Sequence, residues 1–287
     1  MNRWVVGARP RTLPAAVVPV IVGTAAAHHS GHMFAWRFGA ALVVALAIQV
    51  ATNYVNDYAD GERGTDAVRV GPVRLVAGGL ATVKQVKVAT LCAFGVAAVA
   101  GGALAIAVGW PVLVIGAISM TAGWAYTAGP KPYAYYGLGE LFVFVFFGMV
   151  ATVGSTYVQL GHVTGVAWLA AMPVGMWATS MIVVNNLRDI PTDGPAGKNT
   201  LAVRLGDQKT RALYCLLIAA SFVFVPFIGA SRPWTAFVFV GIVLARKPVV
   251  TVLGGAKGKE LISVLGATGQ VQLAVGVLLS VGLWIGR

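Results

Sequence analysis

Charge is scarce in this chain. Only 10% of its 287 residues are Asp, Glu, Lys or Arg, and only nine are acidic. So little charge cannot coat a water-soluble globule. With 58% apolar residues and a mean hydropathy of +0.81, the composition is that of an integral membrane protein. Cysteine is nearly absent. Cys92 and Cys215 lie far apart in apolar runs, which excludes a disulfide framework and leaves two small packing residues. No cleavage region follows the apolar stretch after Arg3, Arg9 and Arg11, so the N-terminus reads as a first membrane helix rather than a signal peptide. The net charge of +12 is scattered between apolar segments and forms no patch suited to nucleic acid.

What the chain has in abundance is apolar runs. Nine approach the ~20 residues a membrane helix needs, at 12–30, 35–58, 84–108, 110–129, 137–160, 165–187, 208–229, 232–250 and 262–285. With the N-terminus in the cytoplasm, 18 of the 21 basic residues fall in inside segments, and only Arg37, Arg232 and Arg287 fall outside. The expectation is an all-α membrane protein of about nine transmembrane helices, N-terminus cytoplasmic and C-terminus outside. The 36 glycines fit close helix packing in lipid.

The rare acids are the most informative residues. Seven of the nine fall within 53–66 and 185–207, each group at the end of an apolar run and on the cytoplasmic side of this topology. The first group carries Asn53, Asp57 and Asp60, followed by Glu62 and Asp66. The second carries Asn185, Asp189 and Asp193, with Asp207 trailing outside the pattern. At these spacings the three oxygen-bearing side chains of each group share one helix face. Carboxylate and amide oxygens are hard ligands suited to magnesium, which is usually held by one or two carboxylates plus substrate phosphates. Two facing groups suit two or more ions around a diphosphate. Arg63, Arg69, Arg74, Lys131, Arg188 and Lys198 lie on the same side and can neutralise remaining phosphate charge.

For either group alone, a solvated loop is the competing reading; the repetition of the pattern at membrane depth favours function. A cation-coupled transporter is the rival class, although acids at one face rather than the midplane speak against it. Asp57 and Asp189 are 132 positions apart. That spacing suggests a four-helix unit used twice, about 12–129 and 137–250, plus a ninth helix, all within a single domain spanning 1–287.

Further motifs extend the pattern. They are Ala8-Arg-Pro-Arg-Thr-Leu-Pro-Ala15, Pro19-Val-Ile-Val-Gly23, Asn56-Asp57-Tyr-Ala-Asp60 with Gly64-Thr-Asp66, Gly71-Pro-Val-Arg74 and Tyr126-Thr-Ala-Gly-Pro130. Gly137-Leu-Gly-Glu140, Phe146-Phe-Gly148, Asn185-Asn-Leu-Arg-Asp-Ile-Pro-Thr-Asp193 and Ala196-Gly-Lys198-Asn-Thr-Leu201 complete them. Together they resemble the UbiA superfamily of intramembrane aromatic prenyltransferases, in particular its menaquinone branch. The resemblance runs from the N-terminus to about Gly206. It implies transfer of a polyprenyl chain from polyprenyl diphosphate to 1,4-dihydroxy-2-naphthoate, with loss of carbon dioxide and diphosphate, in a bacterial cell membrane with the site facing the cytoplasm.

It also implies roles. Magnesium would be held by Asn53, Asp57, Asp60, Asn185, Asp189 and Asp193, with Asp66 as a further ligand, and the four motif aspartates would be catalytic. Arg63, Arg69, Arg74, Lys131 and Lys198 would meet the diphosphate, Arg74 and Lys131 foremost, although each can equally be a topology-setting charge. Tyr126, Glu140, Asn186 and Arg188 would line the substrate. Arg188 can meet either the diphosphate or the naphthoate carboxylate, and Glu140 can orient a basic neighbour or the acceptor. A sister enzyme acting on 4-hydroxybenzoate, homogentisate or a haem or chlorin precursor would carry the same ion site.

Overall fold

The computed structural model describes residues 2–28, 33–65 and 71–285. All regular structure among them is helical. The helices are α1 (Arg3–Ala8), α2 (Pro14–Ala27), α3 (Ala35–Arg63), α4 (Val83–Val108) and α5 (Pro111–Ala125). They continue with α6 (Gly139–Leu160), α7 (Gly165–Asp193), α8 (Leu201–Gly229), α9 (Pro233–Leu253) and α10 (Lys259–Ile285). Seven are long and apolar enough to cross a membrane.

Two of the expected spans differ from simple helices. The first, expected at 12–30, is a bent pair in which Arg3–Thr12 meets Pro14–Ala27 at 55°. The break has a local cause. Arg9 adopts a left-handed conformation (φ 52°, ψ 71°), and Pro10 and Pro14 have no N–H to continue the helical ladder. The fourth, expected at 110–129, is the 15-residue α5.

Helix starts follow the capping chemistry of the sequence. Thr82 and Gln85 form a reciprocal capping box at α4, while Thr164 and Thr200 accept the Ala167 and Val203 amides at α7 and α8. Gly64 closes α3 in the left-handed conformation and turns the chain back. Inside α6, Phe144–Val150 widens into a π-helical turn, a feature often found beside functional sites.

Helix α7 is the central element. Two-thirds (67%) of its apolar window is buried, against 33% or less in α3, α4, α6, α8 and α9. It packs on α2, α6, α8 and α10 around the fully buried Trp177 and Tyr214. Lipid tails are as apolar as leucine, so this packing rests on close shape fit. At the α6–α7 crossing, a Cβ added to Gly148 would lie 2.6 Å from the Gly175 Cα. At the opposite extreme, α5 buries no residue and leans on α3 and α4. Val99, Ile106 and Leu91 on α4 are among the most exposed large apolar side chains, as a lipid-facing belt requires.

Candidate active site

The two acidic motifs occupy the C-terminal ends of α3 and α7, two helices of equal length, 29 residues. Buried polar groups are costly unless paired, so the partners of these side chains define what each one does. Asp60 is 2% exposed and is the hub of the first motif. Its Oδ2 accepts from Lys198 Nζ at 2.7 Å and lies 3.7 Å from Arg74 Nη2, while its Oδ1 accepts from the Tyr135 hydroxyl at 2.9 Å. Burial, and secondarily the Asp60 charge, push the Tyr135 phenol well above its ordinary value, so it serves as a lasting hydrogen-bond donor. Residues from α3, the α5–α6 connection and the α7–α8 connection thus meet on one carboxylate.

Asp57 faces elsewhere. Its two oxygens accept the Leu75 and Val76 amides at 2.8 and 2.9 Å, tying the turn after Gly71 onto α3. Gly61 permits that docking: a Cβ there would lie 2.6 Å from the Val76 side chain. Asn53 Nδ2 donates to Ala8 O at 2.9 Å and to Thr12 Oγ1 at 3.2 Å, and Gln49 Nε2 donates to the same hydroxyl. The break between α1 and α2 is therefore docked onto the first motif, and none of these bonds uses the side-chain oxygen Oδ1 of Asn53.

In the second motif, Arg188 Nε and Nη2 donate to the two oxygens of Asp189 at 2.7 and 2.6 Å, and Nη2 also donates to Asn185 Oδ1 at 2.9 Å. Asp193 is half-buried at the end of α7. Next to Asn185 on α7, Asn186 Nδ2 donates to Glu140 Oε1 at 2.9 Å, and both residues are buried.

Between the motifs opens a cavity of about 1060 Å³. Arg9, Gln49, Asn53, Asn56, Asn185 and Arg188 line its polar end. Val20, Ala41, Leu104, Val112 and Val158 line the other, and Tyr126, Tyr133, Phe142 and Phe146 form an aromatic wall. Ala41 and Asn53 are twelve residues apart on α3, so the cavity runs ~18 Å along that helix. A polar head and a long apolar tail fit this shape.

The profile of the UbiA prenyltransferase family matches residues 16–253. At 45% identity over 99% of this chain and 98% of the relative, the sequence is similar to 1,4-dihydroxy-2-naphthoate octaprenyltransferase of Mycobacterium tuberculosis. The chain belongs to the UbiA prenyltransferase family. Its fold is similar to that of a UbiA homologue from Aeropyrum pernix K1, with a TM-score of 0.70 at 14% identity over 99% of this chain and 98% of that one. A UbiA homologue from Archaeoglobus fulgidus, bound to GPP and Mg2+, superposes with a TM-score of 0.65 at 13% identity over 98% of this chain and all of that one.

Within this UbiA fold, the structure brings Asn53, Asn185, Arg188 and Tyr126 to the cavity wall and joins Asp60, Arg74 and Lys198 in one cluster. Asp66 and Arg69 lie outside the described residues. Lys131 is exposed and does not line the cavity. Arg63 donates to the Thr127 and Gly129 carbonyls and so clamps the α5–α6 connection to α3. Glu140 and Asn186 bond to each other rather than forming the cavity wall.

Among the described residues no three His, Cys, Asp or Glu side chains gather as a ready-made metal site. The donor chemistry nevertheless fits magnesium: hard oxygens of asparagine and aspartate at one end of a cavity, with room for phosphate oxygens to complete the shell. Sequence reasoning missed Arg9, Gln49 and Tyr135. The proline between Arg9 and Arg11 was the available signal for a break that turns a topology charge into a cavity residue. Gln49, four residues before Asn53, continues the same helix face.

Proposed function

We infer that this chain transfers a polyprenyl group from a polyprenyl diphosphate to 1,4-dihydroxy-2-naphthoate, releasing diphosphate and carbon dioxide and giving the quinol form of demethylmenaquinone. The observation that carries this reading is the full-length similarity, at 45% identity, to a relative named for that transfer. A polar-ended, apolar-bodied cavity beside two oxygen-rich motifs supports it. A cation-coupled transporter has no comparable support.

Asn53, Asp60, Asn185, Asp189 and Asp193 would hold magnesium, with Asp57 contributing through its remaining lone pairs and Asp66 as a further ligand. The Archaeoglobus homologue named as bound to GPP and Mg2+ supports that cofactor. Magnesium in this position supplies positive charge that stabilises diphosphate as it leaves. Lys198 and Arg74, already gathered on Asp60, bring mobile cationic donors to the same phosphate oxygens. Arg63 and Lys131 act at longer range, and Arg69 is a further contact for the diphosphate. The apolar walls exclude water from the allylic cation until the electron-rich acceptor ring attacks it. Tyr126 presents its ring to that reaction chamber, and the Glu140–Asn186 bond holds α6 against the α7 face that carries Asn185 and Arg188.

The same proposal includes topology. Counting the bent α1–α2 pair and the short α5 with the seven long helices gives nine spans. Their basic loops set the N-terminus and the motif ends of α3 and α7 in the cytoplasm of a bacterial cell, with the C-terminus outside. The equal lengths and motif positions of α3 and α7 support a four-helix unit used twice in a single domain.

The test is direct. Purified protein supplied with dihydroxynaphthoate, a polyprenyl diphosphate and magnesium should release diphosphate and form a prenylated naphthoquinol. Absence of product with this acceptor, alongside product with 4-hydroxybenzoate or homogentisate, would replace the naphthoate assignment with a sister acceptor.

A further inference from the structure

One guanidinium at the polar end of the cavity is incompletely used. Arg188 is 4% exposed and belongs to the cavity wall. Its Nε and Nη2 are pinned by both oxygens of Asp189 and by Asn185 Oδ1. Nη1 has no hydrogen-bond partner among the described residues. Leaving a buried N–H of a charged group unpaired is costly, and the planar fork allows no independent adjustment of the last nitrogen. A donor held this rigidly without an acceptor is preorganised for a ligand atom.

The remaining wall indicates what carries that atom. Tyr133 and Phe142 stack with ring centroids 4.0 Å apart at 24°, and Phe142 and Phe146 continue the stack at 5.9 Å and 26°. All three line the cavity, as does Tyr126. A nearly parallel aromatic stack suits a flat ring system, whereas a flexible prenyl tail has no need of one. Because the Arg188 charge is matched by Asp189, the pair offers the N–H groups of one nitrogen and little net field. That suits a single carboxylate better than a diphosphate, whose charge is met by Lys198 and Arg74 around Asp60.

We propose that Arg188 Nη1 receives the carboxylate of the aromatic acceptor while the ring lies against the Tyr126–Tyr133–Phe142–Phe146 wall. Arg188 is thereby the residue that selects a carboxylated acceptor over the bare ring. The identity of that ring rests on the functional reading above; the selection of a carboxylate does not.

The experiment is equilibrium binding to the purified full chain, without turnover, of 1,4-dihydroxy-2-naphthoate and of 1,4-dihydroxynaphthalene, which lacks only the carboxylate. The wild type should prefer the naphthoate by about tenfold or more, the worth of one charge-assisted hydrogen bond. Arg188→Lys keeps a cation beside Asp189 but lacks Nη1. It should reduce the preference to within about twofold while leaving the affinity for dihydroxynaphthalene unchanged. An unchanged preference overturns the proposal. Should the variant not fold, a wild type that binds the two ligands equally still overturns the proposal. Saturating geranyl thiodiphosphate with magnesium must leave naphthoate binding intact, and competition between the two for one site overturns the assignment. If no naphthoate is prenylated but 4-hydroxybenzoate is bound in preference to phenol, in an Arg188-dependent way, the functional reading fails and the carboxylate subsite stands.

Discussion

Lys198 donates a hydrogen bond of 2.7 Å to Asp60, across 138 residues of sequence and between the two acidic motifs. The contact couples the α7–α8 connection to the end of α3 and so ties together the ends of the two helices that carry the motifs. Both groups are largely buried, at 12% and 2% side-chain exposure, so water screens the pair little.

Removing this cation should weaken binding of the diphosphate substrate without unfolding the bundle. Arg74 and Tyr135 still partner Asp60 after the change. For Lys198→Met the loss of one charge-assisted contact, about 1.5–3 kcal/mol, corresponds to roughly a 10- to 150-fold fall in kcat/KM. The KM for polyprenyl diphosphate should carry most of it and the KM for the aromatic acceptor little. Steady-state kinetics with each substrate varied in turn gives the split; an effect confined to the acceptor KM would refute the placement of Lys198.

Asp57→Asn should act through the backbone. The native carboxylate accepts two amides, at Leu75 and Val76, whereas an asparagine offers one acceptor oxygen and sets an NH2 against the second N–H. One orphaned buried amide costs about 1–3 kcal/mol. The expected outcome is loss of most activity together with a lower Tm and faster proteolysis between Gly71 and Ala81. Asp189→Asn should also abolish most turnover but leave that turn protected, which separates the two aspartates by a readout other than rate.

The sequence made the helices and both motifs legible because lipid imposes long apolar runs and because carboxylates are rare in them. It left the partners of those carboxylates unreadable. Asp57 and Asp60 sit three residues apart with the same chemistry, yet one ties down a turn and the other gathers Lys198 and Tyr135. That division depends on the path of residues 71–81, whose amides carry no sequence pattern. Arg9 was read as a topology charge because a charge count does not register the bonds from Asn53 and Gln49 to Ala8 and Thr12 that dock the break beside the cavity. Lys131 between two prolines looked like a phosphate contact and is instead a surface charge off the cavity wall.

Helix α7 depends on close approach at one point. A side chain at Gly148 would collide with the Gly175 backbone at 2.6 Å, a contact that no rotamer change relieves. Gly148→Leu should therefore part α6 from α7, costing about 1–3 kcal/mol or more and lowering the yield of folded protein in membranes. A Cβ at Gly39 meets nothing within 4 Å, so Gly39→Leu should be neutral. Thermal unfolding in detergent of both variants tests the contrast, and equal stability would remove the packing argument.

The apolar half of the cavity should discriminate substrates by tail length rather than by head group. Gly116 on α5 lines the cavity, and a Cβ there meets nothing within 4 Å, so a large side chain can occupy tail space without straining the fold. Gly116→Phe should lower kcat/KM for octaprenyl diphosphate on the order of tenfold and for geranyl diphosphate by less than about threefold, with Tm unchanged. The polar end, more than one helical turn away, keeps its head-group contacts in both cases. An equal fall for both substrates would mean that α5 acts on the reacting end, and the tail would have to run elsewhere.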